Sequence, residues 1–547
     1  MIQTDRNFRF VIGASSHPKE SRIPFYGKLF SIIFFVLILN LPTPDDMSAA
    51  AQRLAAVTAL MAILWMTQAL PIAVTSLIPI VAFPVFGIQD PKIVSQAYIN
   101  SNIFLYMGGF IIALGIEKWG LHRRIALHII NVIGSSPRRV VLGFMFATAF
   151  LSMWISNTAS TLLMLPIGMA IIGSITELSK RESVEDSSQG IHYFSVALLL
   201  GIAYSASIGG VTTLIGTPTN ISFQQIWLIQ FPEAPQLSAG EWMVMVAPFG
   251  VTFLFLTWIV LCWKIPRFSN SQESSKKIIL DHIQSLGRPK RAEILMSIIF
   301  TMTAILWVTR KPLSFGGEFQ IPGWEQLPLH FLNQWGIAMK NSSQWINDST
   351  VAMGMVILMF AIPARKSEQG KTEYLMDWET AERLPWGVLL LIGGGFAIAG
   401  AFQSTQLSNW VGHIFSELVA GWPAWALILT ACFMLTFLTE FTSNIATVNA
   451  VLPILAATAI SLNIDPRLIM IPAAISASCA FTMPIATPPN AIVFASGKIK
   501  ITDMLKYGIV LNLIGVLLLT AFMLIYFIPQ MGIEIGKVPE WVFQQHP

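Results

Sequence analysis

The sequence predicts an all-α polytopic membrane protein with about eleven transmembrane helices and two re-entrant helical hairpins, in two inverted repeats. Three observations predict it. Hydrophobic residues make up 54% of the 547-residue chain and charged residues only 11%, against about 25% charged in ordinary soluble domains; mean hydropathy is +0.65. Apolar runs able to cross a bilayer, which takes about 20 residues per helix, recur along the chain. Finally, two apolar stretches too long for one span carry polar tips at their centres: Ser156-Asn157-Thr158 and Ser443-Asn444-Ile445.

Taken in order, spans are expected near 26–41, 51–69, 71–88, 101–118, 193–230, 242–263, 293–309, 349–363, 385–403, 467–497 and 505–529. Those at 193–230 and 467–497 are broken in the middle by Gly216-Thr217-Pro218-Thr219-Asn220 and Ala486-Thr487-Pro488-Pro489-Asn490. The stretches 139–176 and 424–462 read as hairpins that enter and leave on one side. Arg6, Arg9, Lys19 and Arg22 make residues 1–25 a basic cytoplasmic tail rather than a cleavable signal. Residues 26–530 form the transporter domain, with repeats of about 51–265 and 349–530, and 531–547 an extracytoplasmic tail.

Charge tests this drawing, because cytoplasmic loops carry the excess of Lys and Arg. With the N-terminus inside, Arg123, Arg124, Arg138, Arg139, Lys180 and Arg181 all fall inside, on both flanks of the first hairpin. So do Lys264, Arg267, Lys276, Lys277, Arg288, Lys290 and Arg291 of the main hydrophilic loop. The first hairpin then enters from the cytoplasm and the second from outside. Gly108-Gly109 and Gly393-Gly394-Gly395 precede the two tips at similar distances, and an amphipathic segment follows each, as inverted repeats require. The net charge of +4 belongs to loops and implies no nucleic-acid partner. The sequons at Asn341 and Asn347 fall in an expected outer loop.

Helix-breaking amide, hydroxyl, Gly and Pro residues at membrane depth survive only where they line a cavity or are buried in protein. At each tip one arm ends with unpaired carbonyls and the next begins with unpaired N–H groups, so the tip can hold a cation at one end and an anion at the other. No Lys, Arg or His lies deep in any span or hairpin arm. A midplane anion must therefore meet dipoles, amides, hydroxyls and co-bound cations; sodium suits such oxygen sites. Glu440, the one deep acid, is either functional or a hydrogen-bonded brace for the second tip. Cys262, Cys432 and Cys479 fit no metal or disulfide pattern.

The segment Ala477-Ser478-Cys479-Ala480-Phe481-Thr482-Met483-Pro484-Ile485-Ala486-Thr487-Pro488-Pro489-Asn490-Ala491-Ile492-Val493 resembles the signature of the divalent anion/sodium symporter family, carriers of di- and tricarboxylates and sulfate. The resemblance runs from about residue 25 to the end. It implies a homodimer in the lipid bilayer, each protomer with a scaffold and a mobile transport domain working as an elevator. By position it implies one sodium site at Ser152, Ser156, Asn157 and the Gly216 carbonyl. The other would use Thr439, Thr442, Asn444 and the Ala486 carbonyl. Substrate would meet Asn157, Thr158, Thr217, Asn444, Thr487 and Pro488. Ile445 departs from the family's Ser-Asn-Thr pattern at the second tip, removing one hydroxyl.

The function expected is sodium-coupled uptake of a C4-dicarboxylate such as succinate, malate or fumarate, by alternating access across the plasma or bacterial inner membrane. Sodium is the co-transported ion, and no organic cofactor is implied. Alternatives within the fold are sulfate or citrate symport, or sodium-independent dicarboxylate exchange. The chain shows no His-Glu-x-x-His and no paired intramembrane aspartates, which argues against an enzyme.

Overall fold

The computed structural model describes residues 23–44, 46–134, 136–181, 187–265, 271–314, 320–326, 346–366 and 370–542. The basic tail and the Asn341 sequon lie outside them. Within them nine helices are long and apolar enough to cross a membrane, and five shorter apolar helices accompany them. The strands among these residues form two small hairpins, Leu313–Ser314 with Gln320–Ile321 and Pro363–Lys366 with Thr372–Tyr374. A helical bundle is what hydrocarbon allows, because each helix satisfies its own backbone.

Both long polar-centred stretches fold as helix pairs: Pro137–Ser152 with Asn157–Arg181, and Ala424–Leu438 with Asn444–Ser461. Both broken spans are indeed broken: Ser187–Val211 with Pro218–Gln230, and Arg467–Ser476 with Pro488–Phe494. One succession of elements occurs twice. A span (Ser101–Lys118, Trp386–Ser404) leads to an amphipathic helix (Leu121–Ile133, Leu407–Leu418), the helix pair, the broken span and a closing span (Ala239–Cys262, Ile501–Phe522). Even the turn into the amphipathic helix repeats, through left-handed caps at Gly120 (φ 72°) and Gln406 (φ 63°). On the first amphipathic helix Leu121, Leu127 and Ile130 are buried; on the second Ile414, Phe415 and Leu418 stay exposed, suiting contact with lipid.

Two features differ from the sequence reading. The span expected at 71–88 is two short helices, Ile72–Thr75 and Ile78–Val85, interrupted at Ser76-Leu77, where the missing N–H of Pro79 leaves the Thr75 carbonyl without its helical donor. Helices also form at Pro91–Tyr98, capped by Asp90, and at Ser271–Leu286 in the main hydrophilic loop. Both are too short or too polar for a span search to find. The Asn347 sequon is used structurally: its Oδ1 accepts the Thr350 N–H at 3.1 Å and caps Asp348–Ala361.

The apolar length of Ser187–Val211 is wholly enclosed by protein, which places this helix at the bundle centre. It packs on both arms of the first helix pair, on Ala239–Cys262 and on Pro488–Phe494. Each post-break helix lies against the other half's pair: Pro488–Phe494 on Asn157–Arg181, and Pro218–Gln230 on Asn444–Ser461. The two halves are thereby interleaved around one centre.

At one end of the bundle Arg310 ties three span ends together. It donates to Asp348 and Glu325, both at 2.6 Å, with all three side chains at most 8% exposed. Asp348 also accepts the Ala239 N–H at 3.1 Å. Removing one partner of a buried pair strands the others, at about 3–5 kcal/mol. Arg310→Met is therefore expected to lower the thermal midpoint sharply or abolish recovery of monodisperse protein. A wild-type midpoint in detergent would show the network to be dispensable.

Candidate functional site

The first half-site is built from a helix end and a break. Pro137–Ser152 stops at Ser152, whose hydroxyl donates to the Asn157 Oδ1 at 2.5 Å. Ser156 Oγ accepts the Ala159 N–H at 3.2 Å and so caps the returning arm. In the break, Thr213 is the hub: its hydroxyl donates to the Met153 carbonyl at 2.5 Å and accepts the Gly216 N–H at 3.0 Å. Asn220 Nδ2 closes the loop by donating to the carbonyls of Val211 (3.0 Å) and Thr213 (2.8 Å).

Glycine makes this convergence possible. A Cβ built at Gly216 would stand 2.5 Å from the Gly210 carbonyl oxygen and 2.9 Å from that of Ser152. One built at Gly210 would stand 2.5 Å from Asn157 Oδ1 and 3.2 Å from the Gly216 oxygen. Carbonyl, amide and hydroxyl oxygens of Ser152, Asn157, Gly210 and Gly216 thus crowd one small volume, the donor set a hard cation takes. Ser156 Oγ caps the returning arm at the same tip.

The second half-site has the same plan with other parts. Thr439 donates to the carbonyls of Leu435 and Thr436, both at 3.0 Å. Thr442 shares a 2.6 Å hydrogen bond with Thr447. Asn444 Oδ1 is buried without a hydrogen-bond partner, a costly condition for an acceptor. Glu440 is the brace: Oε1 accepts from the Thr482 N–H (2.8 Å) and Asn512 Nδ2 (2.5 Å), and Oε2 from the Met483 N–H (2.9 Å). Asn490 Nδ2 spans the break as Asn220 does, donating to Ala480 (3.2 Å) and Met483 (3.1 Å). Thr487 Oγ1 accepts the Asn490 N–H at 3.4 Å.

The two breaks touch. Thr217 and Thr219 hydroxyls lie 3.3 Å apart, and Thr219 meets Ser478 of the other break at 2.6 Å. Tyr204 donates to the Phe481 carbonyl at 2.7 Å. Burial is graded across the site: Ser152, Gly216, Thr217, Thr439, Thr442, Ala486 and Thr487 are buried. Asn157, Thr158 and Asn444 are half-buried, and Ser156 and Pro488 exposed. Among the described residues no group of three or more His, Cys, Asp or Glu could hold a metal, and the three cysteines are buried and free.

Sequence reasoning missed Gly210, Thr213, Thr219, Ser478 and Asn512 as parts of this site. The Gly209-Gly210 pair six residues ahead of Gly216, and a lone Asn512 inside the apolar Leu511-Asn512-Leu513, were available signals.

A model described as the sodium:sulfate symporter transmembrane region matches residues 24–533. The chain belongs to that family. It is 38% identical over 531 residues to the sodium-dependent dicarboxylate transporter SdcS of Staphylococcus saprophyticus, covering 95% of this chain and 96% of that one. It is also 38% identical over 514 residues to the protein of that name from Staphylococcus aureus strain MRSA252, covering 93% and 92%. Among solved structures, the Alcanivorax borkumensis YdaH transporter gives a TM-score of 0.49 at 13% identity over 92% of this chain and 98% of that one. Family membership and the spans together make this an integral membrane protein of a transporter family.

Proposed function

We propose that this protein is a secondary active transporter that couples sodium to uptake of a C4-dicarboxylate. The observation that carries it is the pair of oxygen-lined half-sites, each formed by a hairpin tip and a break, in a chain 38% identical to sodium-dependent dicarboxylate transporters. Sodium would sit in the buried oxygen clusters, at Ser152, Asn157 and Gly216 and at Thr439, Thr442, Asn444 and Ala486. Ser156, a further ligand of the first, also caps the returning arm. The dianion would bridge the less buried Asn157, Thr158 and Asn444 with Thr217, Thr487 and Pro488 where the post-break helices begin, at the positive ends of their dipoles. Uptake of labelled succinate by proteoliposomes tests this. A sodium gradient should drive accumulation, and excess sulfate or citrate should compete poorly. Sodium-independent counterflow would instead mean an exchanger.

Two inverted repeats, alternating access by an elevator motion, and a homodimer complete the reading. The repeated succession of elements and the interleaving of the halves support it. The N-terminus is assigned to the cytoplasm and the C-terminus to the outside. A cysteine at Lys180 or Arg139 is expected to be labelled from the cytoplasm, and one at Ser404 or Gly421, both exposed, from outside. Labelling of the Lys180 and Arg139 positions from opposite sides would make the first helix pair a crossing and end the inverted-repeat reading.

A further inference from the structure

The two half-sites are fastened at the same register by opposite chemistry. Matching the tips on Asn157 and Asn444 pairs Met153 with Glu440; matching the breaks on Thr217 and Thr487 pairs Thr213 with Met483. In the first half the break donates through a side chain, from the Thr213 hydroxyl to the Met153 carbonyl. In the second it donates through its backbone, from the Met483 N–H to the Glu440 side chain. The fastening is the same, but one version is neutral and the other brings a carboxylate.

That carboxylate has no cation of its own. Glu440 is 2% exposed, and none of the ion pairs among the described residues includes it. Its partners, the N–H groups of Thr482 and Met483 and the Asn512 amide, are all donors, the set a carboxylate accepts from. Gly508 lets the closing span press against the backbone of Phe481 and Thr482, and Asn512 reaches in one turn later, where its Oδ1 also accepts the Phe481 N–H at 3.2 Å. Burying an unpaired charge is costly unless a countercharge arrives. Thr439 is the preceding residue, Thr442 follows two later, and the Asn444 Oδ1 is buried and unpartnered.

We propose that Glu440 is the countercharge of the second cation half-site, so that this half-site binds sodium more tightly than the first and fills before it. The first half shows that a neutral link suffices to hold tip to break; the carboxylate adds an attraction that the link does not need. Hard cations are attracted to a fixed negative charge far more strongly in a low-dielectric interior than in water. The inference rests on reading the second tip as a cation site.

The test is thermal stabilisation of the purified full-length protein by sodium without substrate, with choline as the ionic-strength control. Wild type should show a sodium-dependent rise in midpoint; its absence would count against the cation reading itself. Glu440→Gln keeps the length of the brace and loses its charge, and should raise the half-maximal sodium concentration about tenfold or more. Glu440→Asp keeps the charge and shortens the brace, and should shift it by less than about threefold. A Glu440→Gln protein that is merely less stable, with its sodium dependence unmoved, would leave Glu440 a brace and overturn the proposal. If the Gln variant cannot be recovered, a tenfold shift in the Asp variant would overturn it equally.

Discussion

Replacing Asn444 with alanine is expected to abolish uptake while leaving the substrate-free protein at least as stable as wild type. The Asn444 Oδ1 is buried with no donor, so the empty protein bears its desolvation, about 1–3 kcal/mol, with nothing in return. Alanine removes that cost. In the loaded protein the same amide would face both cation and anion, and hydrogen bonds to charged groups are worth about 1.5–3 kcal/mol each. Loss of two such contacts lowers transport about 100-fold or more. Asn157→Ala should be as inactive but differ in stability, because Asn157 already accepts the Ser152 hydroxyl at 2.5 Å and its loss strands a buried donor. Initial rates of succinate uptake, read beside the thermal midpoints of the same preparations, check both halves of the expectation. Full activity of either variant would remove its tip from the binding site. A marked fall in the Asn444→Ala midpoint would mean that the amide holds the fold together.

Much of this architecture was legible because membrane insertion writes itself into composition. A Ser-Asn-Thr flanked by two long apolar arms has few places to go at membrane depth, and the tips, breaks and helix pairs appear where hydropathy and helix breakers put them. The recurring succession of elements was legible too, from glycine elements, tips and Thr-Pro-x-Asn breaks at matching offsets. What sequence could not supply was the wiring. The Thr213–Met153 link joins residues 60 apart, Glu440–Thr482 42 apart and Thr219–Ser478 259 apart, and no local pattern announces such pairs. Glu440 stood open between brace and functional acid for the same reason. Its partners lie on other elements, and only their identity as three donors shows that it serves as a brace. The short helices at Ile72–Thr75 and Ile78–Val85 were hidden differently: Pro79 broke an apolar run whose average hydropathy read as one span.

An inside-negative membrane potential is expected to accelerate uptake. Moving one elementary charge across the membrane is worth about 2.3 kcal/mol per 100 mV. A dianion with two sodium ions carries no net charge, so a voltage effect requires a third. On the proposed assignment the two oxygen clusters would take two cations, and a third must bind elsewhere. Glu440 then decides which step the voltage acts on. As a carboxylate it brings the core loaded with three sodium ions and a dianion to neutrality, and leaves the empty core with one negative charge. The loaded crossing is then insensitive to potential, and the empty return is drawn outward by an inside-negative one. A fixed charge travels both ways and cancels over the cycle, so one positive charge still enters per turnover. At −100 mV the attainable accumulation should rise by about fiftyfold. Potentials imposed with valinomycin at fixed sodium gradient measure it. Steady uptake should respond, whereas exchange of labelled for unlabelled succinate, which uses only the loaded crossing, should not. Succinate accumulation indifferent to voltage would discard the third sodium and make the protein a two-sodium symporter or an exchanger.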